Sequence, residues 1–223
     1  MLNENKYINM KRIVVYLLLA IVAFSVNAQI PEGLTKETVE EVNVQAKLKV
    51  DEFNDHLSFI ASKKNKQGEV IPSKAKDAHV TEALKLFLGQ GESYYDQYGN
   101  LKPAPTMEVS SINRKTKEER RSKSPIKTYL NRMKEISYSE VKVTASNACF
   151  VSDWKKVDDD TYEAVMTYVQ IFEGKRVNKY NETYVAYIDV TKKTITLTLK
   201  RKQYGDIVRW QIFLGDISVK ATE

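Results

Sequence analysis

Tyr162-Glu-Ala-Val-Met-Thr-Tyr-Val-Gln-Ile-Phe172 is the stretch on which the fold turns. Its even positions carry Ala164, Met166, Tyr168 and Phe172, and its odd positions carry Val165, Val169 and Ile171. A half-buried strand alternates apolar with polar residues, so a strand apolar on both parities is covered on both sides or turns one side to a cavity. Period-2 spacing recurs on either side of it. Val141-x-Val143-x-Ala145 precedes it, and Tyr184-x-Ala186-x-Ile188, Ile195-x-Leu197-x-Leu199 and Val208-x-Trp210-x-Ile212-x-Leu214 follow. Turn chemistry at 156–160, 173–175, 189–193 and 203–206 separates these runs. Connections so short predict an antiparallel meander, because parallel strands need crossovers of a dozen or more residues.

Upstream the period is 3.6. Val39, Val42, Ala46, Leu48, Phe53, Leu57 and Ile60 predict a helix over 36–64, and Val80, Ala83, Leu84, Phe87 and Leu88 predict a second over 75–88. Ile126, Tyr129, Leu130 and Met133 predict a third, opened by Pro125 with Ser124 as its N-cap. Residues 89–105, with Gly89, Gly91, Gly99, Pro103 and Pro105, read as loop. Residues 113–125 have no apolar side chain and read as a mobile, solvated basic loop. Helices followed by strands make an α+β domain, with N-terminal helices packed on a curved antiparallel sheet.

Lys11-Arg12, the apolar run Ile13 to Phe24, and Val26-x-Ala28 have the order of a signal peptide cut after Ala28. Twelve apolar residues rise about 18 Å as a helix, well short of the roughly 30 Å hydrocarbon core, so no membrane span is expected after cleavage. The expected organisation is a signal peptide at 1–28, a lead at 29–35 and one domain at 36–223. The expected location is the periplasm of a Gram-negative cell or the outside. Met10, just before Lys11, is an alternative start. Segment 1–28 holds +2 of the chain's +6, which leaves +4 on the mature domain.

One cysteine excludes a disulfide framework and a Cys-built metal centre, and two histidines leave little for a His-rich one. No metal site, catalytic residue or cofactor is expected. Cys149, in Ala148-Cys149-Phe150, reads as a small core residue. Gly89-x-Gly91 lacks the Gly-Lys-Ser/Thr ending of a phosphate loop. His56 beside Asp55 and His79 beside Asp77 point in different helical directions, so neither couple is arranged for acid–base work. Asp158-Asp159-Asp160 reads as a hairpin turn rather than a calcium loop.

The order helix, helix, loop, helix and long antiparallel strands over about 124–219 resembles the nuclear transport factor 2-like superfamily. Ile126-Lys-Thr-Tyr-Leu-Asn-Arg-Met133 leading into Val141-x-Val143, and the closing Val208-Arg-Trp-Gln-Ile-Phe-Leu-Gly-Asp-Ile-Ser-Val219, carry the likeness. It implies a cone of curved sheet around helices, often with a pocket, a layout that serves both enzymes and non-catalytic binders. Enzymes of that superfamily often set an Asp/His or Tyr/Asp pair inside the cone. This sequence has no His after His79.

The leading expectation is an exported binding module without catalytic activity, taking a protein or small ligand at the concave sheet face. Tyr162, Met166, Tyr168, Tyr184, Tyr187, Trp210 and Phe213 are its candidate contacts. One alternative is a cone-fold enzyme of hydrolase or isomerase type, using a pocket carboxylate and a Tyr. Another is an envelope protein holding anionic glycan or lipid through Arg120, Arg121 and Lys123. Tyr94, Tyr95 and Tyr98 form a further candidate surface, either closing one end of the core or facing a partner. Nucleic acid is not an expected partner of an exported chain.

Overall fold

The computed structural model describes residues 30–65, 67–112, 118–205 and 207–220. All but Ile30 belong to the unit that runs from Pro31 onward. The signal-peptide reading and residues 113–117 of the basic segment lie outside the described residues. Within the described residues the chain is α+β, with three α-helices and a mixed sheet. Helices α1 (Lys36–Ala61) and α2 (Ser73–Lys85) come first, followed by a 3₁₀ turn at Leu88–Gly91 and a small hairpin of β1 (Tyr94–Tyr95) and β2 (Leu101–Lys102). Then come β3 (Thr106–Ile112), β4 (Glu119–Pro125), α3 (Ile126–Met133), β5 (Glu140–Phe150), β6 (Lys155–Asp158), β7 (Thr161–Val177), β8 (Thr183–Tyr204) and β9 (Ile207–Val219). The large sheet runs β4-β3-β9-β8-β7-β5, with β6 also on β7.

The strand at 161–177 is interior to the sheet, flanked by β8 on one side and by β5 and β6 on the other, in keeping with its double-sided apolar dressing. Tyr162, Ala164, Met166 and Tyr168 point into the core, where α1 lays down Val42, Ala46, Val50, Phe53, Leu57 and Ile60. Val50 supplies the stripe position expected of Leu48, which is exposed. Thr35 caps α1, its hydroxyl accepting from the Thr38 amide.

Several expectations are corrected. First, the sheet is not a pure meander, because β3 lies parallel to β9 at Met107 and Ile217. Second, residues 119–125 are strand rather than loop. Glu119-Arg-Arg-Ser-Lys-Ser-Pro125 pairs along the whole of β3 and forms the sheet edge. A strand wetted on both faces needs no apolar residue, and charges with a proline are what protects an edge.

Third, the chain does not turn at 173–175 or at 189–193: β7 and β8 run through both. Gly174 marks a register shift in which the strand passes under the Tyr138 ring, and a Cβ there would meet that ring at 2.8 Å. Fourth, α3 starts at Ile126, with Pro125 as its cap residue and no side-chain cap bond, so Ser124 stays in β4.

Cys149 is also corrected. Asn147, at φ +53°, sits in a bulge that shifts the β5 register between Ser146 and Cys149. The shift turns Ala148 and Phe150 toward the core and leaves Cys149 exposed, its Sγ 3.3 Å from Thr167 Oγ1.

The free edge of β5 is closed by α1. Ser58 Oγ and Ser62 Oγ accept from the Val143 and Val141 amides, both at 2.8 Å. These residues lie four apart on one helix face, so they meet alternate residues of the strand. Among the described residues, no helix is long and apolar enough to cross a membrane.

Candidate functional site

The seven residues expected at an open concave face fall into three places. Tyr162, Met166 and Tyr168 are buried, at 1 % exposure or less, beneath the helices. The Tyr162 hydroxyl donates to the Glu32 carbonyl at 2.6 Å, and half-buried Trp210 meets its ring edge-on at 5.5 Å. Tyr184 and Tyr187 stand exposed where the β7–β8 ribbon runs past the last residues of β9, Tyr187 stacking on Tyr138. Phe213 lies on the opposite parity of β9 from Trp210 and lines a surface groove beside α2.

That groove has a volume of about 920 Å³. Its floor is apolar, from Val80, Leu84, Phe87, Leu88 and Phe213. One wall is α2, and the 3₁₀ turn forms a second; there Gly89 and Gln90 both have left-handed backbones, at φ +64° and +52°. Gly89 takes that conformation without strain, whereas Gln90 is held in it. Lys127 pairs with Glu92, and Asp77 with Lys134 at 2.7 Å. No carboxylate among the described residues pairs with Lys202 on the rim.

A second concentration of polar chemistry lies inside the fold. Lys193 is 3 % exposed, on the same parity of β8 as Ile195, Leu197 and Leu199. Its Nζ donates to the Glu108 carbonyl at 2.7 Å. Desolvation pushes its pKa down to about 8, partly opposed by the negative charges of Asp189 and Glu108. Asp189 accepts from Thr191 at 2.6 Å and also bears on Tyr129 of α3. Burial raises the pKa of both Tyr129 and Tyr168. The Tyr168 hydroxyl is buried without a hydrogen-bond partner. Reading 189–193 as a turn hid Lys193, although its parity with the Ile195-x-Leu197-x-Leu199 run already put it on the core face.

The remaining candidates are distributed over the surface. Asp158 Oδ1 accepts from the Asp160 amide at 2.9 Å, as a turn residue does. Tyr94 is half-buried, while Tyr95 and Tyr98 project into solvent around a turn whose amides at Tyr98 and Asn100 are held by Asp96 Oδ1. On β4, Arg121 donates a two-pronged bond to the Glu119 carboxylate and another to the Val219 carbonyl; Lys123 lies 3.5 Å from Asp216. Arg120 is exposed. Neither Asp–His couple forms. The two imidazoles meet each other instead, with Nδ1 atoms 3.0 Å apart. Among the described residues no group of three or more His, Cys, Asp or Glu is assembled to hold a metal.

The sequence matches no family profile, and no curated protein sequence matches it. One solved structure that it resembles is described as the "beta subunit of a putative aromatic-ring-hydroxylating dioxygenase" from Novosphingobium aromaticivorans. The identity is 13%, the match covers 82% of this chain and 94% of that one, and the TM-score is 0.34. At that score the likeness assigns neither fold nor function.

Proposed function

We propose that the chain is exported and acts as a non-catalytic binding module of the nuclear transport factor 2-like cone layout, holding an amphipathic small-molecule anion in the groove beside α2. One observation carries this reading: a large recess beside α2, floored by the core residues Val80, Leu84 and Phe87 and by half-buried Phe213, opens to solvent with Lys202 on its rim. About 920 Å³ falls within the usual range for small-ligand sites. Phe213 supplies apolar contact, and Lys202 supplies charge that needs no carboxylate to be displaced. Export rests on the order of charges and apolar residues in 1–28, and on that alone.

The fluorescent anion 8-anilinonaphthalene-1-sulfonate tests the groove. We expect saturable single-site binding, weakened about fivefold by Lys202→Glu, the equivalent of roughly 1 kcal/mol, and also weakened by Phe213→Asp. Unchanged affinity in both variants removes the groove from consideration. Export is tested by N-terminal sequencing of the protein recovered from outside the cytoplasm, where the expected first residue is Gln29.

A second reading, a cone-fold enzyme, has Lys193 and the unpartnered Tyr168 hydroxyl in its favour, since perturbed buried groups cluster at active sites. The envelope-electrostatics reading has less support, because Arg121 and Lys123 already face carboxylates.

A further inference from the structure

His56 and His79 are 23 residues apart in sequence and on different helices, yet their Nδ1 atoms converge to 3.0 Å. The His79 ring is held by Phe59. His79 stacks on Phe59 with centroids 3.7 Å apart and planes 16° apart, and the imidazoles meet edge to face at 5.1 Å. Both histidines of the pair are half-buried. Carboxylates surround it. Glu82 follows His79 by three residues on α2 and interacts electrostatically with both rings; Glu52 precedes His56 by four on α1, with Asp55 adjacent. Residues three or four apart share a helix face, so the pattern Glu-x-x-x-His on α1 opposes His-x-x-Glu on α2.

We infer that His56 and His79, with Glu82 as third ligand, form a binding site for a divalent first-row transition metal ion, with Cu²⁺ or Ni²⁺ preferred to Zn²⁺. At metal–nitrogen distances of about 2.0–2.1 Å, nitrogens 3.0 Å apart subtend about 91–97° at the metal. That angle suits square-planar or tetragonal coordination better than a tetrahedral centre. Glu82 now pairs with Lys85 at 2.7 Å, both groups being more than half exposed. Exposed pairs of this kind contribute little, so Glu82 can turn toward the rings at small cost. Water fills the remaining positions. The proton shared between the two Nδ1 atoms moves to Nε2 of the ring that carried it, and no proton need be released.

The chain contains two histidines in all, so its imidazole proton resonances report this site alone. The full, untagged chain is titrated with Cu²⁺ in the presence of free glycine as competitor. The expected result is one equivalent bound, both histidines broadened together at substoichiometric copper, and two coupled nitrogens in the electron paramagnetic resonance spectrum. His79→Asn is expected to lower affinity by more than about tenfold and leave one coupled nitrogen; Glu82→Gln is expected to cost less. Broadening of one histidine only, failure to bind one equivalent, or affinity unchanged by His56→Asn and His79→Asn overturns the proposal. The wild-type broadening decides the matter even where a variant fails to fold.

Discussion

Lys193→Met should change the pH dependence of stability in a defined window. Lys193 has its pKa pushed down to about 8 from the ordinary lysine value of 10.5, mainly because burial strips the ammonium of water. Below pH 8 both folded and unfolded chains carry the proton, and the folded chain bears the full desolvation penalty. Between pH 8 and 10.5 the unfolded chain still holds a proton that the folded one has released, so wild-type stability rises with pH. The total rise is roughly 3 kcal/mol, of which about 2 kcal/mol lies between pH 7 and 9.5.

Methionine matches the length of the lysine stem but carries no charge, so the variant loses this rise. Its stability at pH 7 moves less, because the relief of desolvation is offset by leaving the Glu108 carbonyl without its donor. The assay is urea unfolding of both proteins at pH 7, 8, 8.5, 9 and 9.5. Other lysines titrate alike in each and cancel in the difference. We expect wild type to gain about 2 kcal/mol on the variant across the series, a midpoint shift of about 1 M. A difference that stays flat with pH would falsify the account of Lys193 as a buried, desolvated ammonium.

Ser62→Ala removes the acceptor of the Val141 amide on the buried side of β5 and should cost about 1–3 kcal/mol in urea unfolding, with Ser58→Ala costing less because it is more exposed. Parity of the two losses would show that the edge amides find water instead. Gly174→Ala places a methyl 2.8 Å from the Tyr138 ring atoms and should destabilise by about 1–3 kcal/mol, read as a fall in thermal midpoint. An unchanged midpoint would mean that the ring swings aside freely.

Helix positions and the central strand were legible because both depend on local apolar periodicity, which α1 and β7 carry strongly. Strand β4 was not, since Glu119 to Pro125 is wet on both faces and its pairing with β3 is set by the chain around it. The unbroken run of β8 was obscured for a related reason. Asp189 and Lys192-Lys193 have turn-like composition, but Lys193 is in fact buried and bonded to a β3 carbonyl that sequence could not place beside it. The parity change at Cys149 came from one left-handed residue, Asn147, and no hydrophobic pattern announces such a bulge. The candidate contacts all lie on strands, yet which face a helix would cover was not written in β7 itself. The His56–His79 meeting is tertiary, depending on how α1 crosses α2.

The distribution of polar groups also constrains where binding can occur. On the sheet face under α1 and α3, Asn54 and Gln170 satisfy each other at 2.7 Å, and Lys193 is held by a backbone carbonyl. Tyr168 alone among the buried side-chain groups described has nothing to bond. A ligand entering that face would have to displace helices whose apolar stripe is closed over it, at a cost of several buried side chains at about 1.5–3 kcal/mol each. The groove outside demands no such opening. Its floor is the packed outer surface of Val80, Leu84 and Phe87 with half-buried Leu88 and Phe213, and its lysines are exposed, so a ligand there gains contact without first undoing the fold.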